Sequence, residues 1–371
     1  MRTREEDIAA GRLTIDLAAL RANYRHLRGL AGAATCAAVI KADAYGLGIE
    51  TVVPALRSEG CTTFFVARAS EGVAVRDLAP SARIYVLDGV SDGTLSAMRV
   101  NGLMPVLGST REVGLWREAG GREPCAIHVD TGMNRLGLRP DECAALVTEG
   151  GVAGLRVSLL MTHPACADEP SHPLNDEQRA IFEAVRATMP GVRASYCNSP
   201  ALLSGTPPLD LVRPGIALYG GEAVNGMPPL APVITLEARI LRLRRLEPGE
   251  SYGYGATWRA ARRTTLAVCG VGYADGYPRA AGGGVALRES GMEGAEGAIG
   301  GVRVPVVGRI SMDLTAFDVT DVPAGILAAN DHIELIGPMV PLDGVARAAG
   351  TIGYELLTSL GRRYFRSSLD V

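Results

Sequence analysis

Lysine is almost missing from this sequence. Lys41 is the only one in 371 residues, and every other basic side chain is arginine. An excess of one charge is missing too. The net charge is −3, so no strongly basic surface offers itself to nucleic acid or an anionic membrane. The seven cysteines are odd in number and contain no CxxC pair. That excludes a disulfide framework and a thiolate zinc site, and it fits a reducing cytoplasm. Five scattered histidines without an HExxH motif argue against a metal enzyme. No apolar run is long enough to span a bilayer, and Met1–Asp7 lacks the apolar core of a signal peptide. The expected location is therefore the cytoplasm, with neither nucleic acid nor membrane as a partner.

What is present centres on the one lysine. Lys41 ends the apolar run Cys36–Ile40 and precedes Ala42–Gly48, which holds two glycines. The run reads as a buried strand and the glycines as a turn, so Lys41 is expected where a strand emerges into a loop. Codon bias alone can make a chain arginine-rich. A lone lysine under that pressure suggests a task arginine cannot do. Lysine can lose its proton and act as a nucleophile when desolvated, whereas arginine keeps its charge. The obvious task is a Schiff base with an aldehyde, pyridoxal phosphate above all. The alternative is an ordinary surface lysine.

With 47% hydrophobic residues, the chain can build two domains with real cores. Residues 1–234 alternate extended apolar segments with helical ones. Strands are expected at Cys36–Ile40, Thr62–Ala67, Arg83–Leu87, Met104–Leu107, Ala126–Val129, Arg156–Met161, Ala194–Cys197 and Leu211–Tyr219. Helices are expected at Ile49–Ser58 and Glu177–Thr188, among others. Eight such units predict an N-terminal (β/α)8 barrel. In that fold chemistry gathers at the C-terminal strand ends. Those ends carry Lys41 and Tyr45, then Asp130–Arg135, Thr162 and His163, Asn198 and Ser199, and Arg213–Ile216. Phosphate is often held after strands seven and eight. There Ser199 offers a hydroxyl and Gly215 allows close backbone approach. Taken singly, the Asp-Thr-Gly segment is more often a turn and a lone His163 a structural residue, and Arg213 before proline reads also as a helix-capping or salt-bridge arginine.

From residue 235 to 371 the pattern changes to strands without regular helices between them. They are expected at Val233–Leu246, Thr264–Val271, Val302–Val307, Leu314–Val319 and His332–Ile336, with a helical stretch near Ala346–Leu360. This predicts a C-terminal, mostly β domain, against which the first dozen or so residues are expected to pack. Ala281–Gly301 reads as an exposed glycine-rich loop. Gly270–Arg279 reads as a strand end running into a tight turn that carries Tyr273. Its glycine spacing does not match a dinucleotide-binding fingerprint.

Together these segments resemble the alanine racemases, fold-type III pyridoxal phosphate enzymes. The matching stretches are AVIKADAYGLG at 38–48, HVDTGMNRLG at 128–137, LMTHPACADE at 160–169, CNSPA at 197–201 and LVRPGIALYG at 211–220. They continue with SYGYGATW at 251–258, GYADGYPR at 272–279, VGRISMD at 307–313 and TIGYELLTSLGRRYFR at 351–366. They keep the family order and cover nearly the whole chain. The resemblance implies pyridoxal 5'-phosphate as cofactor and alanine as substrate, racemised by two bases to supply D-alanine for peptidoglycan.

By that resemblance Lys41 is the Schiff-base lysine and one base, and Tyr273 is the opposite base, supplied by the partner of a homodimer with shared sites. Tyr45, Ser199, Gly215, Ile216 and Tyr354 match phosphate-binding positions, and Asn198 lies beside them. Arg213 matches the arginine facing the pyridine nitrogen, and His163 a histidine beside the ring. Arg135 matches a residue near the phenolic oxygen and substrate carboxylate. Met312 matches the residue whose N–H helps hold that carboxylate. Two positions depart from the family pattern. Leu47 stands where a histidine is frequent, and His128 where many members carry a carbamylated lysine. A serine or broad-specificity racemase is the alternative enzyme. A non-catalytic pyridoxal-phosphate-binding protein fits poorly, because such proteins usually lack the β domain.

Overall fold

The structure is a computed structural model that describes residues 6, 8–121, 123–283 and 294–370. The chain forms two compact units. Leu20–Leu230 make an α/β unit, and residues up to Ala19 join Ala231–Val371 in a β unit. The first strand, β1 (Gly11–Asp16), belongs to the β unit.

In the α/β unit, strands are short and alternate with helices. They are β2 (Thr35–Cys36), β3 (Ala38–Val39), β4 (Thr63–Val66), β5 (Arg83–Val86), β6 (Met104–Leu107), β7 (Pro124–His128), β8 (Arg156–Met161), β9 (Ala194–Ser195) and β10 (Leu211–Val212). β3 to β9 pair in chain order as one seven-stranded sheet, and every pairing is parallel. All four residues of β4 are buried, as expected of parallel strands covered on both faces. Phe65 stacks on Tyr85 at 4.8 Å between ring centroids. Helices at Ile49–Ser58 and Leu174–Ala187 stand where the periodicity placed them, the second starting three residues earlier.

The regular strands form a curled parallel sheet and not the closed ring expected from eight units. β10 pairs separately with β2, and a single parallel bridge, Asn198 with Arg213, lies between the β9 and β10 segments. The expected strand Leu211–Tyr219 stops at Val212, and Ile216–Tyr219 forms a 3-10 turn. Pro214 has no N–H to donate to a ladder, and the backbone at Gly215 (φ −124°, ψ −92°) leaves the extended region.

The β unit is built on β11 (Ile234–Leu246), followed by β12 (Ser251–Tyr252), β13 (Trp258–Arg259), β14 (Thr264–Cys269), β15 (Glu296–Ile299), β16 (Val302–Pro305), β17 (Thr315–Asp318), β18 (His332–Ile336) and β19 (Phe365–Leu369). β1 lies between β11 and β19, antiparallel to the first and parallel to the second. The early half of β11 also pairs with β18 and the late half with β14, with a register shift between Ile240 and Arg242. The strands expected here are found, slightly shortened. Helices do intervene, contrary to expectation: Ala324–Ala329 lies between β17 and β18. The expected Ala346–Leu360 helix is two, Leu342–Ala348 and Gly353–Ser359. Of the expected loop at 281–301, residues 284–293 lie outside the described residues and 296–299 are β15. Among the described residues, no helix is long and apolar enough to cross a membrane.

β1 alternates inward Leu13 and Ile15 with outward Arg12 and Thr14, the period of a strand with one buried face. Leu13 is fully buried. Truncation there leaves a cavity in the β unit, so Leu13→Ala is expected to cost about 2–5 kcal/mol. Urea denaturation followed by circular dichroism reads this as a lower midpoint. An unchanged midpoint would show that β1 is not an integral strand.

Candidate active site

Lys41 does not run into an open loop. It opens a tight turn in which Ala42, Asp43, Ala44 and Tyr45 all have φ of +54° to +55°. Four successive non-glycine residues in the left-handed region cost roughly 1–2 kcal/mol each, and such conformations collect at functional sites. The turn is held by Ala44 N–H to Ile40 O (2.9 Å), Gly46 N–H to Ala42 O (2.8 Å) and Gly48 N–H to Asp43 O (2.9 Å). Asp43 Oδ1 accepts Ile49 N–H at 2.8 Å and so starts the next helix. The Lys41 side chain is thereby brought inward. Burial lowers its pKa from the usual lysine value, the Arg135 cation lowers it further, and Glu71 and Asp88 oppose. An amine so placed loses its proton more readily and becomes nucleophilic.

The same turn places Tyr45. Its ring stacks on Tyr219 with centroids 4.6 Å apart, and Tyr219 Oη donates to Val39 O at 3.1 Å. A Cβ at Gly215 would lie 2.3 Å from Tyr45 Oη, so only glycine lets these segments meet. Ser199 Oγ accepts Gly215 N–H at 2.8 Å. Asn198 caps the following helical turn, its Oδ1 accepting Ala201 N–H at 3.1 Å. Tyr45, Ser199, Gly215 and Ile216 thus converge at one strand end, with Asn198 adjoining through its bridge to Arg213.

Arg213 is buried and meets only neutral oxygens. It donates to Ser195 Oγ, to Thr162 O at 2.6 Å and to Tyr196 O at 3.4 Å. Burial lowers its pKa to about 10, so it stays charged at neutral pH. His163 lies near this charge. Burial, then Arg213, Arg135, His128 and Lys41, hold its imidazole well below the usual histidine value, so it is neutral.

Arg135 is exposed at the tip of a closed loop. Asp130 N–H donates to Leu138 O and Leu138 N–H to His128 O, both at 2.8 Å. Asp130 Oδ1 accepts Gly132 N–H and Asn134 N–H at 2.9 and 3.0 Å. His128 and Arg135 line a cavity of about 440 Å³ together with Asp88, Arg111 and Glu112. Burial, then Arg213, pull the His128 pKa down to about 4. Leu47, the other departure, is buried as an ordinary core residue.

Sequence reading missed Gln178, which is fully buried. Its Nε2 donates to Thr131 Oγ1 (3.1 Å) and His163 O (3.2 Å), and its Oε1 accepts Ala165 N–H (2.8 Å). Thr131 Oγ1 in turn lies 2.8 Å from Thr162 Oγ1. One amide therefore ties the loops after β7 and β8 together. The available signal was a glutamine on the apolar stripe of the Leu174–Ala187 helix, in line with Phe182 and Val185. Tyr219 and Ser195 were missed as well, because their partners are distant in sequence.

Tyr273, Met312 and Tyr354 belong to the β unit. Tyr273 sits in a 3-10 turn closed by Gly276 at φ +93°, with its side chain exposed. Tyr273 N–H donates to Ser311 O (3.0 Å) and Ala274 N–H to Met312 O (2.9 Å). Tyr273 and Met312 therefore lie on two segments hydrogen-bonded to each other. Tyr354 is half-buried near the start of the Gly353–Ser359 helix.

A desolvated amine on a parallel α/β sheet, beside a buried cation and a glycine-lined strand end, points to the Schiff-base lysine enzymes as a class. Comparison narrows it. The family model "Alanine racemase, N-terminal domain" matches residues 15–223 and "Alanine racemase, C-terminal domain" matches 233–368. The chain belongs to the alanine racemase family. The alanine racemase of Rhizobium meliloti (strain 1021) is 48% identical over 366 residues, 97% of each chain. The structure of biosynthetic alanine racemase from Pseudomonas aeruginosa superposes with a TM-score of 0.89 at 34% identity, covering 98% of this chain and 100% of that one. The alanine racemase of Bartonella henselae, with covalently bound pyridoxal phosphate, gives 0.87 at 34% identity, covering 97% and 100%.

The two depressed imidazoles make stability depend on pH. Unfolded histidine titrates near 6.5, whereas folded His128 titrates at about 4. Between these values the unfolded chain binds more protons, so stability falls as pH drops from about 6.5 toward 4. His128→Asn is expected to flatten this slope in part, leaving the His163 share. Denaturant midpoints measured across that window check it, and an unchanged slope would mean that His128 is freely protonated when folded.

Proposed function

We propose that this protein is an alanine racemase, interconverting L-alanine and D-alanine with pyridoxal 5'-phosphate and supplying D-alanine for peptidoglycan. The observation that carries the reading is the desolvated Lys41 amine, placed by a left-handed turn in a family motif. The residues fit the cofactor. Lys41 is a nucleophile for its aldehyde, and the missing Cβ of Gly215 lets the Tyr45 hydroxyl approach, which gathers Tyr45, Ser199 and Ile216 at one strand end as candidate anion donors. Tyr354 joins this phosphate set. When bound, the cofactor supplies an aldehyde and an electron-poor ring that acidifies the substrate Cα–H.

The remaining work falls to side chains. Lys41 would hold the cofactor through its amine and would also take or return the Cα proton on one face. Tyr273 serves the other face, so neither base has to cross. Arg213, which keeps its own proton, would donate to the pyridine nitrogen without protonating it, and so would favour return of the proton to Cα. Neutral His163 would lie beside the ring and Asn198 beside the phosphate-binding residues, while Arg135 and the Met312 N–H would hold the substrate carboxylate.

The α/β unit is proposed as a closed (β/α)8 barrel. Arg213 N–H to Cys197 O (2.9 Å), Ala37 N–H to Val212 O (3.0 Å) and Val39 N–H to Pro214 O (2.9 Å) support closure. The proposed assembly is a cytoplasmic homodimer in which the β domain, residues 235–371 with the first dozen or so residues packed on it, completes the partner's site. Exposed Tyr273 and Met312 and seven free cysteines support it.

Purified protein is expected to convert L-alanine to D-alanine in a chiral amino-acid assay, faster than it converts L-serine. Borohydride should fix the cofactor on Lys41, and Lys41→Ala should lose that adduct. Cofactor attached elsewhere, or preferred turnover of L-serine, would overturn the corresponding part of the reading.

Shared sites make a second expectation. Lys41→Ala and Tyr273→Phe chains are each expected to be impaired, and mixing them should restore activity through one hybrid site. If subunit exchange is demonstrated and activity stays absent, each site lies within one chain.

A further inference from the structure

The Tyr273 turn and the segment carrying Met312 share an ionic clamp. Asp275 closes the turn, its Oδ2 accepting Gly272 N–H at 2.9 Å. Its Oδ1 lies 3.1 Å from Arg363 Nε. The same guanidinium places Nη2 2.9 Å from Asp313 Oδ1, next to Met312. The Asp275 side chain is only 5% exposed, against 54% for both Arg363 and Asp313. A carboxylate that deep needs a cation or several donors. Among the described residues Arg363 is the one cation paired with it.

The surrounding packing leaves the turn little freedom. A Cβ at Gly272 would meet Ser311 O at 2.4 Å and Met312 O at 2.5 Å, and one at Gly276 would meet Ser359 O at 2.0 Å. Gly361 N–H donates to Asp275 O at 2.9 Å. The segment bearing Arg363 is thus itself tied to the Tyr273 turn. A guanidinium is planar with donors in fixed directions, so it can hold two carboxylates at a set separation, which an ammonium on a flexible stem does less well.

We propose that Arg363 is a positioning residue: by bridging Asp275 and Asp313 it locks the Tyr273 turn and the Met312 segment in one register. The Tyr273 hydroxyl and the Met312 N–H are then presented together. The inference rests on the roles proposed above for Tyr273 and Met312.

The test compares holoenzyme of wild type, Arg363→Ala, Arg363→Lys and Tyr273→Phe. Deuterium uptake is followed in segments 270–278 and 309–314, and Cα proton exchange in D₂O for each alanine enantiomer. In Arg363→Ala, uptake is expected to rise in those two segments and to stay unchanged in β4. Since a misplacement of about 1 Å can cost roughly 10²-fold, kcat is expected to fall about 10- to 100-fold, with KM raised as Met312 shifts. With Tyr273 taken as the base for L-alanine and Lys41 as the base for D-alanine, as the family resemblance implies, proton loss from L-alanine should suffer more than from D-alanine, and Arg363→Lys should recover only part. Wild-type uptake in both segments overturns the proposal. So does a local rise in uptake with unchanged kinetics, because the bridge would then position nothing the reaction needs. A uniform rise across the chain with equal loss for both enantiomers makes Arg363 a stability element only, which also overturns it. If Tyr273→Phe itself shows no preference between enantiomers, the two-base reading fails, while local uptake together with the kcat and KM changes still decides whether Arg363 positions the turn.

Discussion

One amine has to be kept out of water and aimed, and much of the α/β unit serves that constraint. Lys41 leaves β3 into four left-handed residues, a conformation whose cost is comparable to a sizeable share of a domain's net stability. The surroundings over-determine it. Three backbone hydrogen bonds close the turn, Ala44 and Tyr45 are buried, and Tyr45 stacks on Tyr219. Glu71 accepts N–H groups from Asp43, Ala67 and Arg68 and so joins the turn to the loop after β4. Strain at this point is held by contacts made elsewhere, which is how functional backbone conformations persist.

Cations cluster around the amine, opposed there by Glu71 and Asp88. Lys41, Arg135 and Arg213 destabilise protons on one another or on the nearby imidazoles. Arg213 is anchored by carbonyl and hydroxyl oxygens and no carboxylate. A buried cation held only by neutral oxygens favours an anion and disfavours protonation of its neighbours. The histidines therefore remain neutral donors or acceptors, and the amine sheds its proton more easily. His128 joins this pattern as a neutral side chain in the position where many family members place a carbamylated lysine. The loop that bears Arg135 is instead closed by Asp130 and its own backbone.

Glycines set the close approaches on which both units rely. Gly215 admits Tyr45, and Gly272 lets the Tyr273 turn lie against Ser311 and Met312. In each case a methyl group would collide with a tyrosine hydroxyl or a carbonyl oxygen, so the position requires the missing side chain and not only its backbone freedom.

Local pattern was enough for most of the elements. Apolar runs and turn residues located β4, β5, β6 and β8 within a residue or so, and an amphipathic stripe located the Ile49–Ser58 helix. Contiguous motifs marked Lys41, Tyr45, the Asp130–Arg135 loop and Tyr273, because each depends on neighbours within about ten positions. Elements set by distant partners were not legible. β1 becomes a strand between β11 and β19, more than 200 and 350 positions away by register. Leu211–Tyr219 looked like one strand, yet Pro214 and the close fit of Gly215 to Tyr45 bend it into a 3-10 turn. The buried links of Gln178 to Thr131 and of Arg213 to Ser195, and the Arg363 bridge between Asp275 and Asp313, leave no periodic trace. The sequence by itself determined the order of elements and the chemistry available at their ends. Tertiary structure alone decided which ends meet and which charges are desolvated, because burial and pairing are properties of contacts between segments that are far apart in the chain.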